Sequence, residues 1–146
     1  AFNAPFIVKK SPLLNSLRKM ALDMGIPIVV FEGGETLRVD NFVVETALDG
    51  LKKVMNHLRM ADFPVNVQES RVLHKMSWLR TNCSGLFYPE VDNGSAVVRG
   101  QLLGWIHDMV GNVSKPVVSK SSGYIICVNN RPVVYSGDPL FNIGSV

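Results

Sequence analysis

An apolar run in the first third of the chain ends in a carboxylate and two glycines. Residues 26–31 (IPIVVF) are apolar throughout, and such a short run rich in Ile and Val is typical of a buried strand in a mostly parallel sheet. Glu32 follows this predicted strand directly, and Gly33 and Gly34 allow a sharp turn of the backbone. Because open α/β sheets bind ligands at the carboxyl ends of their strands, Glu32 is a candidate functional residue. The alternative, that Glu32 and Glu35 are solvated loop acids, stays open at this point.

Helical patterns lie on both sides of this run. Ser11 and Pro12 predict the start of a first helix that ends at Gly25. A second helix is predicted from Asp40 to about Met60, and its apolar stripe is expected to be core: Phe42, Val43, Ala47, Leu51, Val54, Met55 and Leu58. Its other face is expected to meet water: Glu45, Asp49, Lys52, Lys53 and Arg59. One strand with one helix is only half of a βαβ unit, so something must supply the rest of the sheet.

The second half of the chain is rich in short β runs and contains a weak internal repeat. Residues 61–66 (ADFPVN) indicate the boundary between domains at 1–62 and 63–146. Residues 84–87 (SGLF) match residues 122–125 (SGYI), and residues 97–106 match residues 133–143. The offset is 38 residues in the first match and 37 in the second, which indicates a one-residue slip in the hairpin of one of the two halves. Two similar β units predict an intertwined small β-sandwich.

Two segments carry a resemblance to a known family. Residues 1–8 (AFNAPFIV) and residues 31–38 (FEGGETLR) resemble the later part of the succinylglutamate desuccinylase/aspartoacylase family, whose members are zinc-dependent amide hydrolases. The resemblance implies that Glu32 is the general base and that the substrate is an N-acylated amino acid or a related amide. Arg38 lies in the same motif and is a candidate for binding the substrate, or else it pairs with Glu35.

The same resemblance implies an α+β fold class. Residues 1–62 are expected to be the C-terminal part of a carboxypeptidase-like α/β domain, and residues 63–146 a small all-β barrel-sandwich-hybrid domain. The chain is therefore expected to be a fragment whose partner is a missing N-terminal catalytic segment.

The expected zinc has no recognisable ligands in this chain. The family binds zinc through a His, a Glu three residues later and a distant second His, all upstream of the Glu motif. The three histidines here are His57, expected at a helix C-terminus, and His74 and His107, expected in strands. The chain alone is therefore expected to bind no zinc and to be inactive unless another polypeptide supplies the ligands.

Composition excludes several other classes. The net charge is only +3 and the basic residues are dispersed, so nucleic-acid binding is not indicated. No apolar run is long enough to predict a membrane span. Cys83 and Cys127 are expected to be buried thiols rather than a disulfide, which favours a cytoplasmic protein. A homo-oligomer is left open.

Two other functions compete with the hydrolase. The first is a non-catalytic interaction module built on the β domain, with residues 1–60 as a structural cap. The second is a lipoyl or biotinyl carrier, but Val110 occupies the position where a carrier needs its lysine, and Lys115 and Lys120 lie too far along the chain.

Overall fold

The chain divides into two compact units. The computed structural model describes residues 1–146, and these units are Ala1–Val72 and Leu73–Val146. The protein contains two helices and ten strands. The elements up to residue 73 are β1 (Phe6–Val8), α1 (Leu17–Asp23), α2 (Asn41–His57) and β2 (Arg71–Leu73). Strands β1 and β2 form a two-stranded sheet. Neither helix has the length and apolar character that a membrane span requires.

The first helix is shorter than its sequence pattern predicts. Helix α1 begins at Leu17, and its N-cap is Ser16, whose hydroxyl accepts a hydrogen bond from the Lys19 amide at 3.2 Å. The predicted start at Ser11 and Pro12 is therefore wrong, because Ser16 supplies the capping oxygen one turn further on. The end is as expected, since Gly25 follows the C-cap with φ +72°.

The second helix begins where the pattern predicts, but its apolar stripe is not a closed core. Asp40 is the N-cap, and its carboxylate accepts hydrogen bonds from the Phe42 and Val43 amides at 3.0 and 3.4 Å. Phe42, Leu51 and Leu58 are exposed, with 74%, 56% and 60% of their surface accessible. The prediction that the whole stripe is core is wrong, because too few elements in this unit pack against it.

The predicted strand at residues 26–31 does not form. The segment has no regular secondary structure, and Ile26, Val29 and Val30 are at least half exposed. Two physical reasons account for this. No other strand of the chain lies alongside to supply hydrogen-bond partners, and Pro27 has no N–H to donate to a ladder.

Lys53 is buried, in contrast to the prediction that it faces water. Only 8% of the residue is exposed, and its ammonium group lies 2.6 Å from the Asp49 carboxylate and 3.2 Å from Asn3 Oδ1. Asn3 also donates to the Gln68 carbonyl and to Ser70, at 2.6 and 3.0 Å, and it accepts from the Gln68 amide. A buried ammonium group requires such partners, so the network of Asn3 and Asp49 explains how Lys53 is tolerated.

The second unit is made of two four-stranded sheets. Its strands are β3 (Lys75–Arg80), β4 (Gly85–Pro89), β5 (Ala96–Val97), β6 (Leu102–His107), β7 (Ser114–Val118), β8 (Gly123–Val128), β9 (Val133–Val134) and β10 (Pro139–Ser145). The strand orders are β3-β10-β8-β5 and β7-β6-β4-β9. The core is apolar and includes Phe87, Leu103, Ile125, Leu140 and Phe141. The predicted intertwined pair of β units is present, and the sheets do not close into a barrel.

The internal repeat is visible in the way the strands are exchanged. Strands β4, β5 and β6 correspond to β8, β9 and β10, and each short strand pairs with the opposite half: β5 with β8, and β9 with β4. Equivalent hydrogen bonds recur. The Gly100 amide donates to the Ser119 carbonyl at 2.9 Å, and the Gly137 amide donates to the Thr81 carbonyl at 2.8 Å. These four positions are related by the offsets of 37 and 38 residues that the sequence indicates.

Candidate active-site segment

Glu32 lies in an exposed segment without regular secondary structure, and contacts within the first unit hold the residues on either side of it. The Phe31 ring packs against the Phe2 ring, with centroids 5.2 Å apart and planes tilted by 32°. A Cβ on Gly33 would lie 2.9 Å from Val43 Cγ1 of α2, so a larger residue would force the Val43 side chain or the backbone to shift. Glu32 itself is exposed to solvent. The carboxylate therefore projects from a backbone held by two aromatic rings and a helix.

The Phe2 ring is itself positioned by a glycine of the second helix. A Cβ on Gly50 would lie 2.4–2.6 Å from three atoms of the Phe2 ring, so Gly50 leaves the space that the ring occupies. Both phenylalanines belong to the two segments that carry the family resemblance. The structure thus brings residues 1–8 and residues 31–38 together in space.

Arg38 and Glu35 form an exposed ion pair. Arg38 Nε lies 3.6 Å from Glu35 Oε2, and the two side chains are 77% and 46% exposed. Both residues line a depression of about 320 Å³, together with Val39, Asp40 and Asn41. An exposed pair of this kind contributes about 0.2–1 kcal/mol, so it opens at little cost.

The histidines do not converge on a metal site. His57 is the last residue of α2, as expected, and His107 lies in β6, with Nδ1 2.7 Å from Ser114 Oγ. His74 lies between β2 and β3 rather than in a strand. No group of three His, Cys, Asp or Glu side chains could hold a metal ion, so the residues present do not fit a zinc centre.

The two cysteines are free thiols, but they are not buried as expected. Cys83 is half-buried and Cys127 is exposed, because Cys127 lies on the outer side of β8. Neighbouring residues cover part of the Cys127 side chain, and this desolvation raises the pKa of its thiol.

The network around Lys53 was not predicted from the sequence, although one signal for it was present. Asp49 and Lys53 are four residues apart on one helix, which places them side by side. Neither residue lies in the predicted apolar stripe, and the burial of Lys53 depends on Asn3 from a distant part of the chain.

The fold is similar to solved structures that are about twice as long. No protein-family model and no curated protein sequence matches the chain. The ectoine utilization protein EutE (DoeB) from Ruegeria pomeroyi is 22% identical with a TM-score of 0.84, and the match covers 99% of this chain and 48% of that protein. A succinylglutamate desuccinylase from Silicibacter sp. TM1040 is 23% identical with a TM-score of 0.81, covering 99% and 46%.

A third structure extends the same similarity. A succinylglutamate desuccinylase/aspartoacylase from Rhodobacter sphaeroides is 20% identical with a TM-score of 0.79, and the match covers 99% of this chain and 46% of that protein. The chain thus spans about half the length of the structures it matches. The resemblance inferred from residues 1–8 and 31–38 is confirmed at the level of the fold. The chain has the fold of the C-terminal part of succinylglutamate desuccinylase/aspartoacylase family proteins.

Proposed function

We propose that this chain is the C-terminal part of a cytoplasmic deacylase that cleaves the amide bond of N-acylated amino acids or related amides. The observation that carries the proposal is the fold similarity over 99% of the chain, to proteins that include a succinylglutamate desuccinylase. Residues 1–62 belong in this proposal to a zinc-hydrolase domain, and residues 63–146 form a barrel-sandwich-hybrid domain. The complete enzyme is zinc-dependent, and its metal ligands lie outside this chain.

Glu32 is the proposed general base. Its carboxylate is exposed, so water and substrate can reach it, and its backbone is anchored by Phe31 and by the close contact of Gly33 with α2. Such a carboxylate accepts the proton of the attacking water and then returns it to the leaving amine. The other acidic residue of this segment, Glu35, pairs with Arg38 instead.

Arg38 is the proposed contact for a substrate carboxylate. Its guanidinium can form two parallel hydrogen bonds to a carboxylate, and its present partner Glu35 is weakly held. An incoming acidic substrate could therefore replace Glu35. The depression beside Arg38 leaves room for such a group.

The first unit exposes apolar surface that an additional segment would cover. Nine large apolar side chains between residues 13 and 30 have at least half of their surface accessible: Leu13, Leu14, Leu17, Met20, Leu22, Met24, Ile26, Val29 and Val30. Stable monomers rarely leave this much apolar surface in water. We infer that the missing N-terminal segment packs here and pairs with residues 26–31 as a strand.

The test compares two carboxylates of the same motif in the complete protein. Glu32→Gln should lower kcat on an N-acyl amino acid by about 10²–10⁴-fold, because the general base is lost. Glu35→Gln is the matched control and should leave kcat unchanged. Both variants should hold as much zinc as the unmodified protein. Turnover by Glu32→Gln at the control level would refute the assignment of the base.

An interaction module remains the second candidate, favoured by the separate core of the second unit. It predicts that the 146-residue chain is a stable monomer or dimer with no metal requirement. The DNA upstream of Ala1 distinguishes the two functions. An in-frame His-x-x-Glu with a later His supports the hydrolase, and a start codon directly upstream supports the module.

A further inference from the structure

A cavity of about 330 Å³ lies in the second unit, and none of its lining residues is assigned to the proposed active site. It is lined by β3, by β10 and by residues 120–122 before β8, and its walls include Lys75, Trp78, Lys120 and Ser145. This volume is at the lower end of the range for small-molecule sites, which is about 300–1,000 Å³.

The polar lining of the cavity is positive and carries no acid. Lys75 and Lys120 both line it, and neither takes part in any of the three ion pairs of the chain, which are Lys19–Asp23, Arg38–Glu35 and Lys53–Asp49. Serine hydroxyls add further hydrogen-bond donors, among them Ser121 and Ser145. Two uncompensated ammonium groups together with hydroxyl donors favour an anionic ligand.

The internal repeat provides a comparison for these residues. The offset of 38 residues makes Val113 equivalent to Lys75 and Asn82 equivalent to Lys120. The offset of 37 residues makes Asp108 equivalent to Ser145. The strand pairing is the same in both halves. Trp78 of β3 lies opposite Asn142 of β10, and the equivalent Pro116 of β7 lies opposite Trp105 of β6. The fold therefore does not require positive charge at these positions, and only one of the two equivalent places has it.

Trp78 adds an apolar wall. The residue is 47% exposed, and Ile143 also lines the cavity. An inorganic ion would leave this wall uncovered, whereas an organic anion would bury it and gain from apolar contact.

We propose that this cavity binds a small organic anion, whose phosphate or carboxylate group contacts Lys75 and Lys120 and whose apolar part covers Trp78. The site does not depend on Glu32 or on the proposed hydrolase activity.

Trp78 fluorescence tests the proposal directly. The chain has two tryptophans, so Trp105→Phe leaves Trp78 as the reporter. The full 146-residue chain is titrated with adenosine 5′-monophosphate, with citrate and with uncharged adenosine. A saturable change with one or both anions is expected, and the arm that responds identifies phosphate or carboxylate as the recognised group. No saturable change with either anion, or equal binding of adenosine, would overturn the proposal.

Variants separate a specific site from general positive charge. Lys75→Gln with Lys120→Gln should weaken anion binding by about tenfold or more. Lys115→Gln removes the same charge at the position equivalent to Ser77 and should change the Kd by less than about twofold. Ser145→Asp places a carboxylate in the cavity and should also weaken anion binding. We expect the fold to tolerate this change, because the equivalent residue of the other half is Asp108. Equal losses in Lys115→Gln and in the lysine pair would contradict a defined site.

Discussion

Gly85 and Gly123 occupy equivalent places in the two halves of the repeat, and each lets two strands come unusually close. A Cβ on Gly85 would lie 2.3 Å from the His107 carbonyl oxygen, and a Cβ on Gly123 would lie 2.3 Å from the Gly144 carbonyl oxygen. An ordinary contact needs 3.4 Å or more. Because the obstructing atoms belong to the backbone, a strand must move by about 1 Å to admit alanine.

The cost of that movement follows from what it disturbs. Gly85 begins β4, which pairs with both β6 and β9, so a displaced strand weakens ladder hydrogen bonds on two sides. Overpacking costs about 1–3 kcal/mol, and each weakened hydrogen bond costs about 1 kcal/mol. We expect Gly85→Ala to lower the free energy of unfolding by about 2–4 kcal/mol. Gly123→Ala should lower it by at least as much, because its φ of +156° adds backbone strain for alanine.

Urea unfolding followed by tryptophan fluorescence measures this change, because both tryptophans lie in the second unit. Gly100→Ala and Gly137→Ala are the matched controls. Both glycines have positive φ, +89° and +96°, but a Cβ would meet no atom within 4 Å. In these controls alanine adds only the strain of a left-handed backbone, which lowers the free energy of unfolding by about 1–2 kcal/mol. If Gly85→Ala and Gly123→Ala were no more destabilising than the controls, the close-approach argument would be refuted.

Three further predictions concern capping, the polar network and thiol reactivity. Asp40→Ala should destabilise the second helix by about 1 kcal/mol through loss of its cap, while Asp40→Asn keeps it; circular dichroism of the thermal transition distinguishes them. Asn3→Ala should speed hydrogen exchange of the Gln68 amide, because the acceptor at 2.9 Å is lost; unchanged exchange would contradict the network. Cys127 should alkylate with a pH midpoint above that of an ordinary exposed thiol, because partial burial raises its pKa in the folded state and leaves less thiolate at a given pH. The unfolded chain is the control, and an equal midpoint would contradict the shift.

The internal repeat was predictable from sequence because both halves carry the same residue types at the same spacing. Gly85 and Gly123 recur at the same offset since a Cβ is excluded at both places, and such exclusion leaves a clear mark in the sequence. Asp40 was predictable as a cap because its carboxylate accepts hydrogen bonds from amides only two and three residues away.

The predicted strand at residues 26–31 failed for the opposite reason. Its pattern is that of a buried strand, but a strand exists only when a partner accepts and donates its hydrogen bonds. The chain offers no such partner, so the apolar side chains are exposed instead. Lys53 shows the same dependence on distant residues, because its burial requires Asn3, fifty residues away.

By itself, the sequence determined the local features of this protein: the helix cap at Asp40, the bend at Gly34 after Glu32 and the two matching β units. Only the tertiary structure decided how the strands of the two β units are exchanged, that Lys53 is buried, and that Lys75, Lys120 and Trp78 line one cavity. The physical reason is how far apart in the sequence the interacting residues lie. Capping and turn formation involve neighbours in the chain, whereas burial and pairing depend on residues that the fold brings together.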